Sequence, residues 1–157
     1  MAYLLDSNIL LRYVEPAHPM HPDAVNAVAA LLAAGEQVCI LPQSVSEFWN
    51  VCTRPADKNG LGWTPAQTDK EVTRIEQLIT VILDIPTIYG EWRQLVANHN
   101  VAGVQVHDAR IAAAMKAHGL THLVTFNTKD FRRYTGINAV TPAEVIASYA
   151  AKSPPEQ

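Results

Sequence analysis

The sequence predicts a three-layer α/β domain with a central parallel sheet, and three observations predict it. Short apolar runs alternate in order with stretches of helical periodicity along the chain. Helix-length segments separate successive runs, which argues for parallel strands covered on both faces. The chain has 157 residues, 48% of them hydrophobic, enough to bury one core. A single domain over residues 1–150 is expected, with 151–157 as a disordered tail.

Ala2–Leu5 is too short for a helix before Asp6 and reads as the first strand, followed by a helix over Ser7–Val14. Pro16, Pro19 and Pro22 break the chain, and an alanine-rich helix over Asp23–Ala34 stops at Gly35. Gln37–Leu41 is the second strand. Pro42 opens the next helix, which continues over Ser44–Thr53 until Arg54-Pro55. Residues 55–63 are loop by composition. Thr64 is placed to cap a helix beginning at Pro65 and running to Leu78. The remaining elements are a strand over Val81–Ile85, a helix over Pro86–Asn98, a connector over Gly103–Val106, and a helix over His107–His118 ended by Gly119. Strands over Leu123–Phe126 and Ile137–Val140 precede the last helix, TPAEVIASYAA.

Charge and cysteine content narrow the function classes. The formal net charge is −3, so a polyanion would have to be met by a local patch. Cys39 and Cys52 lack a zinc or redox spacing and read as buried free thiols of a reducing compartment. The segment MAYLLDSN has no basic flank, and Asp6 interrupts its apolar run, so neither a signal peptide nor a membrane span is expected. A soluble cytoplasmic protein is the expectation. The absence of a Walker or G-x-G-x-x-G loop argues against nucleotide binding.

In open α/β sheets the functional crevice lies beyond the carboxyl ends of the strands. Asp6 stands there, ending the first strand, although an N-cap role would also explain it. Glu47 falls at the edge of the apolar arc formed by Val45, Phe48, Trp49, Val51 and Cys52, where a solvated boundary position is the alternative. Asp108 projects between Ile111, Ala112 and Met115, on the inward face of its helix, unless it caps that helix. Asn127 and Asp130 follow the fourth strand, where turn formation is the competing role. Crowded carboxylates raise one another's pKa unless a cation lies among them. Mg²⁺ takes oxygen ligands and keeps waters, and Mn²⁺ suits the same donors. Metal-assisted hydrolysis of a phosphodiester is the chemistry such a site implies.

YLLDSNILLRY resembles the opening motif of the PIN-domain ribonucleases, with Ser7 where many members have threonine. SVSEFWNV resembles their glutamate helix, and VHDARIAAAMKAHGLTHLVTFNTKDF the third-acid helix and the strand with its T-x-N/D loop. The ordered set spans residues 1 to about 146 and is specific. By that resemblance Asp6, Glu47, Asp108 and Asp130 would surround Mg²⁺ or Mn²⁺, supported by Asn127 and Thr125, with Asn127 and Asp130 as alternatives for the fourth position. The resemblance further implies a VapC-like toxin: an endoribonuclease acting on structured RNA, a homodimer, held inactive by a cognate antitoxin.

Arg12, Arg110, Lys129, Arg132 and Arg133 are candidates to meet RNA phosphate, with a solvated charge run as the alternative. His18 and His21 form an H-x-x-H among prolines and read as surface residues, and His107 as solvent-facing. Two other functions remain open at this point: a PIN-like RNA-binding module without catalysis, and an Asp-nucleophile phosphatase. The latter is disfavoured because Asn8 occupies the place of its second acid.

Overall fold

Burial on both faces makes each strand a short apolar run, and alternate residues of a strand point to opposite faces. The computed structural model describes residues 1–152. Its elements are β1 (Ala2–Leu5), α1 (Ser7–Tyr13), α2 (His21–Ala33), β2 (Gln37–Ile40), α3 (Pro42–Thr53), α4 (Pro65–Leu78), β3 (Thr80–Val81), α5 (Thr87–Asn98), α6 (Gln105–His118), β4 (His122–Val124), β5 (Asn138–Val140) and α7 (Pro142–Ala150). The sheet has five strands in the order β3-β2-β1-β4-β5, every pairing parallel. The predicted three-layer α/β architecture is the one observed.

Alternation divides the core in two. Leu5, Ile40 and Val124 join a cluster with Ile9, Val28, Leu31 and Phe48, built from α1 to α4 and α7. Leu4, Cys39 and Leu123 face the other way, onto Ala109, Ile111–Met115, Phe131 and Tyr134 under α5 and α6. Three consecutive alanines, Ala112–Ala114, are fully buried, and their small side chains suit the close packing of α6 with α5. Both cysteines are free and fully buried. Burial pushes the Cys39 thiol up to about 11 and that of Cys52 to about 12.

Strand order fixes where a crevice opens. From β1 the chain moves outward through β2 to β3, then crosses back to β4 on the other side of β1. Loops leaving β1 and β4 therefore diverge to opposite faces, and a gap forms beyond their carboxyl ends.

Four elements differ from the sequence expectation by two residues or more at one end. The third strand is only Thr80–Val81, not Val81–Ile85. As an edge strand it gains hydrogen bonds on one side only, and Ile82 and Ile85 instead pack against the α5/α6 cluster. Helix α6 starts at Gln105, two residues before the predicted start, and takes up part of the expected connector. Gly103, at φ 62, supplies the left-handed turn ahead of it. Helix α2 begins at His21, which places Pro22 in its first turn where no N–H is needed. The fourth strand is His122–Val124, so Thr125 and Phe126 belong to the loop beyond it. Residues 153–157 of the expected tail lie outside the described residues. Among the described residues, no helix is long and apolar enough to cross a membrane.

Candidate active site

Asp6 follows β1 directly, in extended backbone, and is the N-cap of α1. Its Oδ1 accepts the Ser7 backbone N–H at 2.8 Å, and its Oδ2 accepts the Thr125 hydroxyl at 2.8 Å. The capping role is thus real, but it occupies one oxygen only. Burial raises the pKa of Asp6, the two hydrogen bonds oppose that rise, and the charges of Glu47 and Asp130 reinforce it.

Thr125 holds this corner together. Its fully buried Oγ1 donates to Asp6 and accepts from Asn8 Nδ2 and from the Asn127 backbone N–H, both at 3.1 Å. The Asn8 Oδ1 in turn accepts the Phe126 N–H at 3.4 Å. One hydroxyl and one amide therefore lock the loop after β4 to the start of α1.

Glu47 reaches the same corner from α3. Its Oε2 accepts the Ser7 hydroxyl at 2.9 Å, and its Oε1 accepts Gln43 Nε2 at 2.9 Å, one helical turn away. Gln43 Nε2 also donates to the His107 carbonyl at 2.9 Å, and Gln43 Oε1 accepts Arg110 Nη1 at 3.1 Å. Arg110 Nη2 pairs with Asp84 at 3.2 Å.

Asp108 lies in the first turn of α6, but the cap of that helix is Val104, so the alternative capping role is excluded. Its carboxyl is pushed up to about 6, first by burial and then by repulsion from Asp6, Asp130 and Glu47, with His107 opposing. Asp130 sits in a 3₁₀ turn over Thr128–Phe131, partly buried. The Asn127 side chain is exposed. Four carboxylates thus converge where the strand order opens its gap.

The predicted cations scatter more widely. Arg12 lies in the last turn of α1, the end away from Asp6, and pairs with Glu15 at 2.8 Å. Arg132 and Lys129 are exposed beside Asp130, and Arg133 donates to Gln105 at 2.8 Å. Only Arg110 is hydrogen-bonded into the network around Glu47. His18 accepts the Met20 N–H, and His21 Nδ1 donates to the Arg12 carbonyl, so the H-x-x-H pair is spent on local turns. His107 is exposed.

Among the described residues, no three His, Cys, Asp or Glu side chains form a ready-made metal shell. A caged zinc site would need one. Mg²⁺ needs only one or two carboxylates, with waters completing its octahedron, and this all-oxygen donor set with two carboxyls held above their usual range fits such a hydrated ion. Ser7, Asn8 and Gln43 were not predicted as site residues. Only the Gln43–Glu47 spacing of four could have signalled one of them.

The family model of the PIN domain matches residues 3–137. The chain belongs to the PIN-domain family. With that membership comes hydrolysis of nucleic acid as the coarse activity. Solved PIN structures share its fold. They include VapBC2 from Rickettsia felis bound to a promoter DNA fragment, 21% identical over 90% of this chain and 98% of that one, with a TM-score of 0.67. VapBC-1 from nontypeable Haemophilus influenzae is 17% identical over 91% and 99% of the two chains, with a TM-score of 0.65. The sarcin–ricin-loop-cleaving toxin VapC20 of Mycobacterium tuberculosis is 12% identical over 86% and 98%, with a TM-score of 0.60. No curated protein matches the sequence significantly.

Proposed function

We propose that this PIN-domain chain is an endoribonuclease dependent on Mg²⁺ or Mn²⁺, and the toxin of a VapBC-type toxin–antitoxin pair. The observation that carries the nuclease reading is the mutual repulsion of Asp6, Glu47, Asp108 and Asp130. Such crowding destabilises the bare protein and is relieved by a dication. When bound, the ion supplies a water acidic enough to attack a phosphodiester and charge to offset that developing on its oxygens.

The chain's own groups have separable roles in this reading. Asp6, Asp108 and Asp130 would hold the ion, directly or through its waters, and Glu47, aimed by Ser7 and Gln43, is placed to accept a proton. Thr125 keeps Asp6 in place, and Asn127 supports the turn that carries Asp130. Arg110 and Arg132 contact the RNA strand, and Arg12 extends that contact along α1. The antitoxin and a second copy of the chain are the proposed protein partners, by kinship with the toxin–antitoxin assemblies of like fold. The phosphatase alternative loses support, because Asn8 is committed to Thr125 and Phe126 and cannot serve as an acid.

The test is cleavage of single-stranded and looped RNA by partner-free protein. Cleavage is expected with Mg²⁺ or Mn²⁺, and none in EDTA or with the Asp6→Asn variant. Activity that survives full chelation overturns the metal mechanism. Tight RNA binding without cleavage in any metal favours the non-catalytic module.

A further inference from the structure

Outside the acid cluster, a cleft of about 390 Å³ opens between the segment before α5 and the start of α6. Its walls are Ile85, Pro86, Tyr89 and Trp92, and at its rim stand Asp84 and Arg110. Tyr89 is 68% exposed and presents its ring to solvent beside the cleft. Its centroid lies 6.2 Å from that of Trp92, with the planes inclined at 37°. Trp92 cannot swing away, because its indole N–H donates to the Val106 carbonyl at 2.9 Å. The result is an aromatic wall, anchored at Trp92 and open to solvent at Tyr89, beside an apolar floor.

The rim carries a hydrogen-bond pattern. Arg110 offers N–H donors, and Asp84, 3.2 Å away, offers two adjacent acceptor oxygens. Both side chains are about two-fifths exposed, so their pairing is weak and can be exchanged for other partners. Donor, acceptor, acceptor is the complement of the Watson–Crick edge of guanine, which presents O6, N1–H and N2–H. Adenine, cytosine and uracil do not offer two neighbouring donors. The cleft is also wired to the acids: Arg110 donates to Gln43, whose amide donates to Glu47.

We propose that this cleft is a nucleobase subsite, and that it takes an unstacked guanine of the RNA strand next to the bond being cut. The base stacks on Tyr89 and Trp92, Asp84 accepts N1–H and N2–H, and Arg110 donates to O6. The inference rests on the ribonuclease reading for its biological sense, but the cleft's preference for a base does not depend on metal or cleavage.

Two measurements separate those layers. In EDTA, the dinucleotide GpU is titrated into the ¹⁵N-labelled protein and the Trp92 indole N–H followed by NMR. GpU is expected to shift that signal, ApU and IpU (inosine lacks the N2 amine) to shift it less, and Tyr89→Ala to abolish the response while Tyr89→Phe keeps it. In Mg²⁺, oligouridines carrying one guanine, inosine or adenine are compared as substrates. Asp84→Asn is expected to erase a preference for guanine of about tenfold, and Tyr89→Ala to lower kcat/KM on the guanine substrate by about tenfold through KM. An unmoved Trp92 signal, equal shifts by GpU and ApU, or an Asp84→Asn enzyme as selective as wild type overturns the subsite. So does conversion of a dimer to monomers by Tyr89→Ala in sedimentation, which makes the patch an interface between copies. A guanine-selective shift in a protein that cleaves no RNA leaves the subsite standing and removes the ribonuclease reading instead.

Discussion

Asp6 and Asp108 face the same gap, and each carboxyl is held above its ordinary range, yet the protein treats them differently. Asp6 is nearly dry but accepts two hydrogen bonds, from Ser7 and Thr125, which offset part of its desolvation. Asp108 is less buried and accepts no side-chain hydrogen bond among the described residues, and His107 opposes the rise of its pKa. One carboxyl is therefore positioned by hydrogen bonds, and the other is not, which in the proposed mechanism leaves it to the cation. The wired side spans β1, α1, α3 and the loop after β4, and α6 joins it through the His107 carbonyl and Arg110; the unwired side is the Asp108 and Asp130 carboxyls, which accept no hydrogen bond among the described residues.

The largest effect that would sharpen this contrast lies in catalysis on the unwired side. Asp130→Ala is expected to slow RNA cleavage about a hundredfold, and Asn127→Ala about tenfold, because a carboxylate brings charge as well as a lone pair. Rates measured across a Mg²⁺ titration decide between them. If Asn127→Ala is the more damaging and added metal rescues neither, the fourth position has been misassigned.

Next comes stability on the wired side. Thr125→Val keeps the shape but removes the donor to Asp6 and the acceptor for Asn8 and Asn127, leaving buried polar groups unpaired. A loss of about 1–3 kcal/mol is expected in urea denaturation of the metal-free protein. An unchanged midpoint would mean that water replaces the hydroxyl, and that Asp6 is not held as described.

The smallest effect runs the other way, on Asp108. The fold raises its pKa from 3.8 to about 6, so the protonated form is favoured in the native state. Its contribution to metal-free stability is fully present below about pH 4 and lost as pH rises through 6. Asp108→Asn removes that loss and should stabilise the metal-free protein near pH 7 by about 1–2 kcal/mol, after allowance for solvent screening. It should also flatten the pH dependence of Tm between 4 and 7. Asp6→Asn, where hydrogen bonds offset part of the same burial penalty, should change Tm less than Asp108→Asn does. Equal destabilisation by both substitutions would erase the distinction drawn between them.

The same contrast governs what could be read from the sequence. Asp6 was legible because it ends an apolar run too short to be a helix, and Asp108 because helical periodicity turns it inward. The partners that wire Asp6 were not. Ser7, Asn8 and Gln43 acquire their roles from residues 40 to 117 positions away or from an amide's choice among three neighbours, and polar pairing of that kind has no periodicity. Arg12 seemed close to the acids in sequence, but six helical residues carry it about 9 Å along α1. The start of α6 is not legible because a glycine in sequence reads as connector, whereas the left-handed backbone of Gly103 finishes the turn just before the helix.

The two buried cysteines have a practical consequence. With thiol pKa values near 11 and 12 and no exposure to solvent, neither presents a thiolate to a maleimide at neutral pH. The folded protein is in effect cysteine-free to reagents, though it contains both of the chain's thiols. A single cysteine introduced at an exposed site, such as Arg93 on the outer face of α5, would take up a fluorophore alone without first removing Cys39 or Cys52 from the packed interior.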